Sequence, residues 1–162
     1  MSRIRIVLVS PRIVANVGNA ARTAASLNAE LHLVKPLGFI WDEKKLRRNS
    51  VGYWDKLEPI IHRDAEAFWS EIECDAQTEF VFVEKDGEHL YFDRSFGGDV
   101  VLIFGNEEEG VDPHFWHFRK LTQNLVSCRI PMADIRCLNL ATCVGIVSYE
   151  VFRQWQQGAR AP

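Results

Sequence analysis

Apolar residues in this chain fall into short runs, separated by stretches of helical period. Residues 3–10 (R-I-R-I-V-L-V-S) form a nearly continuous apolar run, which predicts a strand buried on both faces. Residues 11–18 read as a loop. Residues 19–27, rich in Ala and short side chains, read as a helix. Residues 31–34 predict a second strand, broken by Pro36 and Gly38, with a short basic helix over 41–49. A short strand over 57–62, a helix over 64–72 and a strand over 80–83 follow, then a polar turn at Asp86 and Gly87. The clearest strand is 99–104 (D-V-V-L-I-F), which stops at Gly105. Asp112 offers a helix N-cap with Pro113 at the first helical position. Residues 124–130 predict a last strand. Over 139–157 the period lengthens, and Leu140, Val144, Val147, Val151 and Trp155 make one apolar stripe on a long helix.

Strands alternate with helices from end to end, which predicts an α/β fold with a mostly parallel sheet and helices on both faces. No repeat, linker or low-complexity stretch divides the sequence, so one domain over residues 1–162 is expected. At 47% hydrophobic the chain has enough apolar material for a core and is not of disordered composition. No apolar run approaches the roughly 20 residues of a membrane span, and residues 1–10 lack a signal-peptide layout. Cys74, Cys128, Cys137 and Cys143 show no metal or redox spacing and read as reduced thiols of an intracellular, cytoplasmic protein.

The formal net charge of −3 conceals a strong asymmetry. Residues 1–63 carry 11 Lys/Arg against 5 Asp/Glu, residues 64–112 carry 2 against 15, and residues 113–162 carry 6 against 2. A fold that brings the two basic ends together would create a basic face on an acidic protein, suited to nucleic acid. The cluster Lys44, Lys45, Arg47 and Arg48, flanked by Trp41, Tyr53 and Trp54, is the main candidate surface for RNA phosphates and unpaired bases. Such a run is also what an ordinary solvated helix face looks like.

Three loops after strand ends carry the candidate chemistry, because open α/β sheets place ligands there. The first is Asn16-Val17-Gly18-Asn19-Ala20-Ala21-Arg22, a loop opening a helix, with an anion-friendly N-terminus and Arg22 one turn in. The second is Phe104-Gly105-Asn106-Glu107-Glu108-Glu109-Gly110. Here Glu108 and Glu109 read as a solvated turn and Glu107 as the functional candidate. It is neither G-x-G-x-x-G nor a Walker motif, so nucleotide triphosphate and dinucleotide readings are weak. The third runs from Ile130-Pro131-Met132 to Arg136-Cys137-Leu138-Asn139-Leu140-Ala141, where Asn139 reads also as a plain N-cap and Cys137 as a small filler.

In order and spacing, N-x-G-N-x-x-R, F-G-x-E-x-x-G and I-P-M…R-x-x-N-L resemble the three motifs of the SPOUT-class RNA ribose 2′-O-methyltransferases. The resemblance runs from about residue 5 to residue 154. Pro36-Leu37-Gly38-Phe39, Trp41-Asp42, the Lys/Arg cluster and Tyr53 resemble its small, single-domain subfamily that methylates the tRNA wobble nucleotide (cytidine or uridine). The resemblance implies a C-terminal trefoil knot, S-adenosylmethionine as methyl donor with no metal, tRNA as substrate, and a homodimer joined through the knot and last helix. It implies donor binding near Phe82, Val83, Gly105, Glu107, Ile130, Met132, Cys137, Leu138 and Asn139. It implies RNA contact by Asn16, Asn19, Lys44, Lys45, Arg47, Arg48 and Arg136. Arg22 matches the favoured catalytic Arg, and Tyr149 a position on the last helix that reads also as a half-buried aromatic. The family usually has Ser where Cys137 stands, often a basic residue where Glu109 stands, and in the subfamily usually Asp where Gly52 stands. Competing readings are action on ribosomal RNA or another tRNA position, and a cofactor- and RNA-binding module without catalysis.

Overall fold

The computed structural model describes residues 2–42, 44, 57, 59–118 and 124–158. Its strands are β1 (Ile4–Val9), β2 (Glu30–Val34), β3 (Ile60–His62), β4 (Glu79–Val83), β5 (His89–Leu90), β6 (Val100–Phe104) and β7 (Asn124–Arg129). Its helices are α1 (Val14–Leu27), α2 (Ala65–Glu71) and α3 (Leu140–Gly158), with a 3-10 helix over Pro113–Phe118. The strands form one sheet in the order β3-β2-β1-β6-β4-β7-β5, and every described pair is parallel. The expected α/β architecture holds, and the sheet is more uniformly parallel than the pattern alone required.

Alternating residues of the buried strands face two separate layers, as the pleat dictates. Ile4, Ile6 and Leu8 join Leu31, Leu33 and Leu102 against Val17, Ala20, Ala21 and Ala24 of α1 and Val144, Val147 and Val151 of α3. Small side chains on α1 let α3 pack closely beside it. Val7, Val9, Phe80, Val101 and Ile103 face the other way, against Phe68, Trp69 and Ile72 of the α2 region and Phe115. Helices therefore cover both faces.

One expectation needs correction, one is refined, and one strand was not expected. The loop expected over 11–18 is helical from Val14, so Asn16, Val17 and Gly18 belong to α1. Its local N-cap, Ile13, supplies no side-chain bond. The Glu107 carboxylate caps it instead, accepting from the N–H groups of Arg12 (2.8 Å) and Ile13 (3.2 Å). A cap held 95 residues away leaves no local signature. The helix signalled by Asp112 and Pro113 is present as a 3-10 helix beginning at Pro113: the Asp112 carboxylate caps it, accepting from the His114 N–H at 2.8 Å, the Phe115 N–H bonds the Asp112 carbonyl, and the Phe115 carbonyl accepts from the Trp69 indole at 2.7 Å. Strand β5 is two residues long, too short for alternation to reveal, and exists by pairing with Cys128 and Arg129 of β7.

Candidate active site

The C-terminal ends of β6, β4 and β7 lie side by side, with Val83 in register with both Phe104 and Cys128. The chain leaves all three strands at the same edge of the sheet. Around that edge lies a cavity of about 570 Å³, within the roughly 300–1,000 Å³ typical of small-molecule sites. Phe82, Val83, Ile130, Leu138 and Leu140 give it apolar walls, and Gly105, Asn106 and Gly110 present backbone. The thiols of Cys137 and Cys143 and the thioether of Met132 also line it. Burial pushes the Cys143 thiol up to about 11, with Cys137 nearby adding to the rise, so Cys143 is a neutral wall group at pH 7.

The turn after β6 is sharply folded. Asn106 and Gly110 exchange backbone hydrogen bonds of 2.9 and 3.3 Å, and the Asn106 side chain accepts from the N–H groups of Glu108 and Glu109. Gly110 takes a positive φ of 77°. A Cβ on Gly105 would run into the Gly110–Val111 peptide. Arg12 clamps this turn from outside, pairing with Glu108 at 2.9 Å and Glu109 at 2.8 Å. Glu109, where the resembled family is often basic, is thus matched here by a basic partner.

A string of side chains joins the three motif loops. The Asn16 amide donates to Glu107 at 2.7 Å and accepts from the Asn139 amide at 2.8 Å. The Asn139 carbonyl oxygen accepts from the N–H groups of Ala141 (2.9 Å) and Thr142 (3.2 Å), capping α3. Asn16 is 3% exposed. Its amide is turned to Glu107 and Asn139 in this chain, linking the three motif loops.

Of the nine residues expected at the donor, Phe82, Val83, Gly105, Glu107, Ile130, Met132, Cys137 and Leu138 line the cavity, and Asn139 stands behind it as cap. Arg136, expected at RNA, lies on the cavity wall. Arg22 and Tyr149 are exposed and do not line the cavity. The Tyr149 hydroxyl lies 3.1 Å from the Ser26 hydroxyl. Asn19, Arg22 and Ser26 are spaced three and four apart on α1, so they share one stripe beside Tyr149. Lys44 is exposed, and Lys45, Arg47 and Arg48 lie outside the described residues, as do Tyr53 and Trp54. Motif reading missed Arg12, Glu84, Lys85 and Asp86. The last three directly follow β4, and position just past a parallel strand was the available signal.

Fold and site together define an α/β protein with a ligand cavity at the C-terminal edge of a parallel sheet. The chain belongs to the SpoU rRNA Methylase family, whose model matches residues 3–149. It is 36% identical over 155 residues to a tRNA (cytidine(34)-2'-O)-methyltransferase of Yersinia pestis, covering 93% of each chain. A solved structure concerned with 2-OH methylation of C/U34 on tRNA superimposes with a TM-score of 0.83 at 32% identity, covering 96% of this chain and 98% of the other. An AdoMet-bound rRNA methyltransferase from Sinorhizobium meliloti matches with a TM-score of 0.77 at 26% identity, covering 93% of this chain and 56% of the other.

Proposed function

We propose that this chain is an S-adenosylmethionine-dependent tRNA ribose 2′-O-methyltransferase acting on the anticodon wobble nucleotide. It works as one domain over residues 1–162, with a C-terminal trefoil knot, as a homodimer in the cytoplasm. The observation that carries the reading is the cavity. It gathers loops separated by tens of residues at one strand edge, and eight of the donor residues expected from the motifs line it. Its composition fits the donor: apolar walls for a purine, glycines at 105 and 110 for close approach, and carboxylates for a cation. The relatives' names support tRNA and position 34.

The bound donor supplies an electrophilic methyl group on a sulfonium sulfur. The protein's part is to hold a ribose hydroxyl in line with it, and such positioning can contribute several kcal/mol of barrier lowering. As a new C–O bond would form, the methyl–sulfur bond would break with its electron pair left on sulfur, and the 2′-hydroxyl would give up its proton to solvent, so negative charge develops on that oxygen. Arg22, as a guanidinium, stabilises that charge and grips the adjacent phosphate. Arg136, on the cavity wall, is placed for a neighbouring phosphate. Because Arg22 stands outside the cavity of its own chain, the dimer reading has the partner copy supplying it. Asn19 and Lys44, exposed, belong to the tRNA-contacting surface together with Lys45, Arg47 and Arg48.

The test is mass spectrometry of nucleosides from tRNA of cells with and without the gene, followed by restoration with purified protein and S-adenosylmethionine. Loss and recovery of one 2′-O-methylated nucleoside at position 34 is expected. Recovery in ribosomal RNA or at another tRNA position would overturn the target, and donor binding without transfer would overturn catalysis.

A further inference from the structure

Five carboxylates line the cavity among the described residues: Glu84, Asp86, Glu107, Glu108 and Glu109. They are not equivalent. Glu108 and Glu109 are paired with Arg12, and Glu107 accepts hydrogen bonds from two backbone N–H groups and Asn16. The carboxylates of Glu84 and Asp86, in the segment after β4, have no hydrogen-bond or ion-pair partner among the described residues; only the Glu84 backbone N–H is bonded, to the Cys128 carbonyl at 3.0 Å. Burial, and then the neighbouring Asp86 charge, raise Glu84 above the usual carboxylate range. This segment holds negative charge at a cost that a cation in the cavity would relieve. Lys85 between them and Arg136 across the cavity offset part of that charge and leave the wall net negative.

The methyl donor and its demethylated product differ in the charge at sulfur. The donor carries a sulfonium and is a net cation at neutral pH, whereas S-adenosylhomocysteine is a neutral thioether. We propose, resting on the donor-cavity reading above, that Glu84 and Asp86 are specificity-determining residues that favour the charged donor over the neutral product. Transfer of the methyl group removes the positive charge these carboxylates hold, so product leaves and fresh donor replaces it. At low salt, about 0.01 M, the Debye length of about 30 Å exceeds the dimensions of such a cavity, so both carboxylates act on a sulfonium bound in it. Removing two charges is expected to weaken donor affinity by about three- to tenfold in low salt.

Calorimetric titration of the full-length protein with S-adenosylmethionine and with S-adenosylhomocysteine tests this. The wild type should bind the donor more tightly, with the difference shrinking as salt rises. The double variant Glu84→Gln, Asp86→Asn should lose about three- to tenfold in donor affinity while product affinity stays within about twofold. Glu66→Gln, an exposed carboxylate on α2, should leave the ratio unchanged. Thermal melts establish that each variant is folded. An unchanged donor-to-product ratio in the double variant, or equal weakening of both ligands, overturns the proposal and leaves the cavity as the donor site. Failure of wild-type protein to bind either ligand overturns the donor-cavity reading and the proposal with it.

Discussion

Asn16 carries more structure than its size suggests. It is buried, and both ends of its amide are matched: the NH2 donates to Glu107 and the oxygen accepts from Asn139. Alanine there would leave the Glu107 carboxylate short of a donor and the Asn139 NH2 short of an acceptor, costing roughly 1–3 kcal/mol. The expected outcome for Asn16→Ala is a lower urea midpoint together with weaker donor binding by calorimetry. Unchanged stability would show that the string is idle. The sequence marked Asn16, Glu107 and Asn139 as worth attention because each lies in one of three loops that follow strand ends. It did not show that they touch, since hydrogen bonds spanning 91 and 123 positions leave no local pattern. Arg12 was invisible for the same reason: an exposed Arg before a helix has no signature until Glu108 and Glu109 are placed against it.

At the level of elements, local patterning was a good guide where burial is simple. Continuous apolar runs marked β1 and β6, and the 3.6-residue stripe marked α3 to within one residue at each end. It failed where distant groups decide, at the start of α1 and at β5. The seam between β2, β3 and α2 holds another surprise. His32 and His62 stack with their nitrogens 3.0 Å apart, Glu30 and Glu71 cap the two ends, and Phe68 packs edge-on. Arg5 of β1 is buried alongside, paired with Glu30 and Asp99. Burial lowers His32 from 6.5 to about 4, with His62 and Arg5 adding to the fall and Glu30 opposing it. Between those values the unfolded chain binds more protons than the folded one. The stability contribution is therefore full above pH 6.5 and is lost as pH falls toward and through 4. His32→Gln should remove on the order of 1–3 kcal/mol of the stability difference between pH 7 and pH 4.5, read as a flatter plot of urea midpoint against pH. An unaltered slope would assign the acid sensitivity to other groups.

For the molecule as a whole, the sequence indicated a mostly parallel α/β sheet with its candidate loops after strand ends; the sheet is present, and a cavity lies where those loops meet. What it could not convey was sidedness. Arg136 stands on the cavity wall, while Arg22 stands on the outer α1 stripe beside Tyr149. If the catalytic Arg comes from a second copy, two inactive variants should rescue each other. Arg22→Ala lacks the guanidinium, and Leu138→Trp fills the cavity. Mixed after unfolding and refolding together, they should regain about a quarter of wild-type methyl transfer, because half the dimers are mixed and each has one complete site. No recovery, with dimers confirmed by sedimentation, would place Arg22 and the donor in the same chain.

The amide string also bears on how the protein comes to be folded. Its members lie at positions 16, 107 and 139, so the cavity has no early, local precursor. Contacts of such sequence separation form late, because the loops they close are long. Trp69, buried in the other layer against Phe80 and Phe115, reports on a different part of the core. A refolding variant that keeps Trp69 as its single tryptophan should recover indole fluorescence before it recovers the capacity to bind a nucleoside ligand, and a half-made molecule leaving the ribosome has no cavity with which to sequester one.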